Sequence, residues 1–134
     1  MNIIARFEGL RLTPYMCPAG IMTIGYGHTD NVKITDVLTR EEAEKLLLED
    51  TETYRLAVDN AVNIYLNSNQ MEALTSLCYN IGIRAFTNST LVKKLNSGDK
   101  LAAVMEFPKW SKIKSVRSKG LLRRRMAEAE LFLT

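Results

Sequence analysis

No stretch of this sequence approaches the ~18–20 consecutive apolar residues of a membrane span, so insertion into a membrane is not expected. The N-terminus, Met1-Asn-Ile-Ile-Ala-Arg-Phe-Glu8, lacks the basic segment followed by an apolar one that marks a secretion signal. The expectation is a chain made in a cytoplasm, which another agent must release if its substrate lies outside. Cysteine is scarce, with only Cys17 and Cys78, far apart and in neither metal-ligand nor redox spacing. A disulfide between them is disfavoured in a chain without a secretion signal. Cys78, in the run Leu77-Cys78-Tyr79, reads as a small buried hydrophobe. His28 is the only histidine, and a lone histidine more often orients structure than moves protons. There is no Gly-rich phosphate loop, no cluster of metal-ligand residues and no Ser/His/Asp arrangement, so neither a cofactor nor a metal is expected. Internal repeats and flexible linkers are missing as well.

What is present fits one domain. The 134 residues include 46% hydrophobic and 25% charged side chains, ordinary for a globular protein that builds a core without disulfides or metal. Charge is unevenly spread. Residues 1–106 hold ten basic and thirteen acidic groups, whereas residues 108–127 hold eight basic ones (Lys109, Lys112, Lys114, Arg117, Lys119, Arg123, Arg124, Arg125) and no acid. A positive end of this kind suits an anionic partner, either a nucleic acid or an acidic wall polymer. Its bland reading is a solvated helix face, and charge alone does not choose.

Glycine and proline are few, which makes their positions informative. Pro14, Pro18, Gly20, Gly25 and Gly27 interrupt residues 12–29, where Ile21, Thr23, Ile24 and Tyr26 favour strands, predicting a β-hairpin or three-stranded sheet. Before it, residues 3–10 predict a short helix with Ile3, Ile4 and Phe7 on one face. After it the pattern is helical. Thr39-Arg-Glu-Glu42 reads as a capping box opening a helix over 39–62, with Ala43, Leu46, Leu47, Tyr54, Ala57, Val58 and Ala61 at helical spacing. Further helices are predicted over 69–81 and 88–97, each stopped by a following glycine, and over 100–107 and 120–132. The class is α+β and mainly helical.

Taken alone, Glu8 sits at the junction of a helix and a β segment. A carboxyl there becomes a proton donor if an apolar wall raises its pKa, although most glutamates are solvated. The spacing around it says more. Glu8, Cys17 and Thr23 form E-x8-C-x5-T, continued by Ile24-Gly25-Tyr26-Gly27-His28. This resembles the N-terminal signature of the phage-type lysozymes, endolysins that read E-x8-D-x5-T, often with T-I-G-Y-G-H. The likeness continues through Gln70-Met71-Glu72-Ala73-Leu74, Tyr79-Asn80-Ile81-Gly82, Phe86-Thr87-Asn88-Ser89-Thr90-Leu91, Phe107-Pro108-Lys109-Trp110 and Gly120-Leu121-Leu122-Arg123-Arg124-Arg125 with Glu128.

The resemblance implies a two-lobed fold around a cleft. Its small β-lobe would cover about 11–38 and its connecting helix about 39–62. A helical lobe of about 63–134 would take in the 3–10 helix. It also implies hydrolysis of the β-1,4 bond between N-acetylmuramic acid and N-acetylglucosamine in peptidoglycan, by a monomer acting on the cell wall of a bacterial host after release. Glu8 would be the general acid, with Thr23 orienting the attacking water. Cys17 replaces the family's usual Asp. It is either a weak base that leaves Glu8 and Thr23 to carry the rate, or a locally stabilised thiolate whose alkylation abolishes activity; a passive filler is the bland reading. By position, Thr29, Tyr79 and Ser89 would touch saccharide, against ordinary readings of Tyr79 as core and Ser89 as a helix cap. His28 would orient the β-lobe, and Arg124 would be a buried partner near Glu8, its register among three adjacent arginines left open. The remaining cations would hold the anionic wall. Competing readings are a lytic transglycosylase acting on the same bond, an inactive glycan-binding module, and a DNA-binding protein, which explains the charge but none of the motifs.

Overall fold

The computed structural model describes residues 2–134. The described residues are mainly helical, with two small two-stranded sheets. The chain separates into two compact units, Met1–Thr53 and Tyr54–Thr134, the division falling inside one long helix.

The first unit opens with α1, Ile3–Glu8. The Asn2 side chain caps it by accepting the Ile4 N–H at 2.7 Å, meeting an otherwise orphaned donor. Ile3, Ile4 and Ala5 are buried, and the helix stops at Gly9, φ 74°. β1, Arg11–Met16, pairs antiparallel with β2, Met22–Gly25, in the register Tyr15↔Thr23 and Met16↔Met22. The ladder is irregular between Arg11 and Tyr15, where Pro14 has no N–H to contribute. In place of a third strand, a single bridge joins Ile24 to His28, each donating its N–H to the other's carbonyl at 2.9 Å. The turn between them uses Gly25 at φ 68° and Gly27 at φ 91°. A Cβ on Gly25 would also meet Leu38 Cδ1 at 3.4 Å and Ala43 Cβ at 3.7 Å.

α2, Arg40–Ala61, begins at the capping box read from the sequence. Thr39 Oγ1 accepts the Glu42 N–H at 3.1 Å while Glu42 Oε1 accepts the Thr39 N–H at 2.9 Å. Within the first unit α2 buries Ala43, Leu47 and Thr51.

In the second unit, α3, Ser68–Ile81, starts one residue before its predicted bound and carries its own capping box, Asn67 with Gln70. Six successive residues, Ala73 to Cys78, are buried. Two of the six are polar, and each hydroxyl finds a partner: Thr75 donates to the Met71 carbonyl at 2.7 Å and Ser76 to Glu128. α4 (Ile83–Thr87), α5 (Thr90–Asn96) and α6 (Lys100–Val104) follow, then a 3-10 turn at Phe107–Lys109. α4 was not anticipated, and the 100–107 segment is shorter as α-helix than its periodicity predicts. β3 (Lys112–Ile113) and β4 (Val116–Arg117) form a hairpin that the basic sequence, without a turn glycine, did not signal. α7, Lys119–Phe132, closes the chain, capped by Ser118 Oγ. The core of this unit gathers Val58, Leu74, Leu77, Phe86, Leu91, Leu95, Phe107 and Phe132.

Candidate active site

Glu8 is the last residue of α1 and is half-buried. The break at Gly9 ends the helix there and sends the chain into β1 two residues later.

Cys17 follows β1, in the turn leading to β2. Its N–H donates to the Ile21 carbonyl at 3.0 Å, and its carbonyl accepts the Gly20 N–H at 2.8 Å, closing the turn. Thr23, buried on β2, donates its hydroxyl to the same Ile21 carbonyl at 2.9 Å. The hairpin thus brings Cys17 and Thr23 together. The Cys17 thiol is held below its ordinary range, chiefly by the Ile21 amide. The Ala19 amide and Thr23 hydroxyl add to this, and partial burial opposes it. Hydrogen bonds to sulfur favour the charged form. Thr23 has one proton to give, either to the Ile21 carbonyl or to the sulfur.

His28 is held twice, by the backbone bridge to Ile24 and by Nδ1 lying 2.7 Å from Asp50 Oδ2 on α2. Asp50 was not singled out from the sequence, because nothing local relates residues 22 positions apart. Thr29 follows His28 and is exposed. A cavity of about 400 Å³ in this unit is lined by Asn2, Ala5, Tyr26, Arg40, Glu44, Leu47 and Leu48. None of the sequence-predicted site residues lines it.

In the second unit, Tyr79 is half-buried on α3, and its ring meets that of Tyr54 edge-on, centroids 5.0 Å apart at 77°. Ser89 is buried as the N-cap of α5. Its hydroxyl donates to the Phe86 carbonyl at 2.6 Å and accepts the Val92 N–H at 3.2 Å, so its capping role is met in full. A cavity of about 470 Å³ lies among Asn80, Ile81, Lys109, Trp110, Lys112 and Leu121.

Two of the three adjacent arginines, Arg124 and Arg125, are buried around a buried Glu128. Arg125 Nε is 2.6 Å from Glu128 Oε1 and its Nη2 donates to Oε2 at 2.9 Å. Arg124 Nε approaches Oε2 at 3.4 Å, and Ser76 Oγ also donates to it. Burial pushes the Glu128 carboxyl up and the Arg125 guanidinium down, and their mutual attraction opposes both shifts. The cationic run is thus not all surface: two of its eight members are interior. Both cysteines are free, and burial pushes the Cys78 thiol up to about 11. Among the described residues no three His, Cys, Asp or Glu side chains gather as metal ligands, and no helix is long and apolar enough to cross a membrane.

This architecture is that of lysozyme-fold endolysins. The muramidase domain of SpmX from Asticaccaulis excentricus matches 98% of this chain and 92% of its own at a TM-score of 0.92 and 38% identity. An endolysin of Escherichia coli phage FAHEc1 matches 98% of this chain and 88% of its own at 0.90 and 40% identity. In sequence, the endolysin of Acyrthosiphon pisum secondary endosymbiont phage 1 is 50% identical over 97% of this chain and 92% of its own length. The endolysin of Bacillus phage B103 is 39% identical, and this chain spans 52% of it. Residues 5–128 match the phage lysozyme family. The chain belongs to that family and is a lysozyme-type enzyme.

Proposed function

We propose that this enzyme hydrolyses the β-1,4 bond between N-acetylmuramic acid and N-acetylglucosamine in peptidoglycan, with Glu8 as general acid and the Cys17–Thr23 pair managing the attacking water. Glu8 donates its proton to the glycosidic oxygen as the bond to the anomeric carbon breaks, leaving an oxocarbenium-like sugar. Water then adds to that carbon and gives up a proton to the Cys17 sulfur, which later returns it to solvent. Thr23 orients the water, because a hydroxyl both accepts and donates. Thr29, exposed beside His28, contributes to saccharide contact, and His28 fixes the hairpin through Asp50.

What carries this reading is the Cys17 environment. An ordinary thiol is only a few per cent thiolate at pH 7 and would serve poorly where a carboxylate is usual. The amides of Ile21 and Ala19 and the Thr23 hydroxyl lower its pKa, which favours the thiolate over the weak-base alternative.

The test compares clearing of purified peptidoglycan by this protein and its Glu8→Gln variant, with the sugar ends identified by mass spectrometry. Reducing muramic acid ends made only with Glu8 in place are expected. Anhydro ends would reassign the enzyme as a lytic transglycosylase, equal clearing by both forms would remove Glu8 from the mechanism, and clearing by neither would leave a glycan-binding module.

A further inference from the structure

The segment joining the 3-10 turn to α7 carries surface chemistry that glycoside hydrolysis does not use. Its hairpin pairs Lys112 with Arg117 and Ile113 with Val116, and the loop residues Lys114 and Ser115 sit at φ 49° and 69°. A two-residue loop with both φ values positive normally takes Asn-Gly or a similar pair, so lysine and serine there carry local strain. Directly paired residues point to the same face of a two-stranded ladder. Ile113 and Val116 therefore share one face, and Lys112 and Arg117 share the other.

The aliphatic pair is uncovered, with Ile113 57% and Val116 70% exposed. The base of the hairpin, by contrast, is rooted. Ser111 is fully buried, donates its hydroxyl to the Pro108 carbonyl at 2.6 Å and accepts from Arg117 Nη1 at 3.1 Å. Its carbonyl takes the Ser118 N–H at 2.7 Å. A fixed base thus holds a bare branched pair out into solvent. Around it stand exposed Lys112, Lys114, Arg117 and Lys119, with no acid between Pro108 and Ala127. Lys109 is not counted, since its ammonium lies 2.6 Å from Glu106.

We propose that this hairpin docks on an anionic lipid surface, Ile113 and Val116 entering the boundary between headgroups and acyl chains while Lys114 in the loop and Lys119 beyond the hairpin meet the lipid phosphates; Lys112 and Arg117, on the opposite face, are not counted. A soluble polyanion would meet the cations and leave the aliphatic pair in water. A neutral apolar partner would do the reverse. A negatively charged bilayer surface satisfies both at once.

The test uses the full chain with sedimented unilamellar vesicles, either equal parts phosphatidylglycerol and phosphatidylcholine or phosphatidylcholine alone, at low salt. Each cation near an anionic surface is worth about fivefold in partitioning, so two cations are expected to make binding to the charged vesicles about 25-fold stronger. Lys114→Gln lowers it about fivefold. The pair Ile113→Ser and Val116→Ser keeps every charge and lowers it about tenfold through lost apolar burial. Lys33→Gln, in the first unit, leaves it unaltered, and matched far-UV melting shows that each variant is folded. Equal binding to both vesicle types, full binding by the double serine variant, or tighter binding to a duplex DNA fragment than to vesicles would each overturn the proposal.

Discussion

Replacing Cys17 by serine tests the chemistry most directly, because the two side chains are nearly isosteric and differ in acidity by several orders of magnitude. The Ile21 amide, opposed by partial burial and helped by the Ala19 amide and the Thr23 hydroxyl, lowers the pKa of the thiol. Serine would accept the same hydrogen bonds but would not ionise near neutral pH. A positioned base contributes roughly 10²–10⁴-fold to rate, and the lower end suits a water-managing base that works alongside a general acid. Cys17→Ser is therefore expected to lower kcat about 100-fold. KM should barely change, since Cys17 is assigned to water and not to sugar. Cys17→Asp is expected to recover most of the rate, because a carboxylate is ionised at pH 7 without the hairpin amides. The acidic limb of the pH profile should follow: the rate with cysteine falls as pH drops through the lowered thiol range, and the aspartate variant holds its rate to lower pH. Initial rates on solubilised glycan strands over pH 4–9 measure all three effects. A Cys17→Ser enzyme retaining more than a third of the parent rate would refute the thiolate assignment and restore the reading of Cys17 as filler.

Two other outcomes follow from buried groups. Glu128→Gln removes the carboxylate between two buried guanidiniums, which should destabilise the fold by about 3–5 kcal/mol, read from urea unfolding midpoints; a loss under about 1 kcal/mol would mean the arginines are satisfied elsewhere. Cys78, whose thiol is pushed from 9.0 to about 11 by burial, has a folded pKa above its unfolded value, so its contribution is fully present below pH 9 and is lost as pH rises through 11. Between those pH values the parent should lose about 2 kcal/mol more stability than Cys78→Ala, and parallel pH curves would show that the thiol does not titrate in the folded chain.

Much of the helical framework was legible without tertiary information. Thr39 and Glu42 sit three residues apart, and each satisfies an amide of the other. Gly82 and Gly98 adopt positive φ just past α3 and α5, where the sequence placed helix stops. The resemblance read from Glu8, Cys17, Thr23 and the residues following them is matched by family membership over residues 5–128. Signals of this kind act over one turn of helix or one tight turn of chain, so residue order alone carries them.

The chemistry of particular side chains was decided elsewhere. Three consecutive arginines are indistinguishable as a string, yet Arg124 and Arg125 are buried on Glu128 while Arg123 is exposed. Asp50 reaches His28 across 22 positions, a pairing no local pattern encodes. The β3–β4 hairpin arose without turn glycine, asparagine or alternating apolar residues to announce it. The lowered pKa of Cys17 depends on residues the β1–β2 turn brings back to it, chiefly Ile21, and no pattern around position 17 announces it. Periodicity and capping depend on neighbours within about four residues and are determined by sequence order. Burial, desolvation and ionisation depend on which distant atoms displace water, and only the tertiary structure decides those.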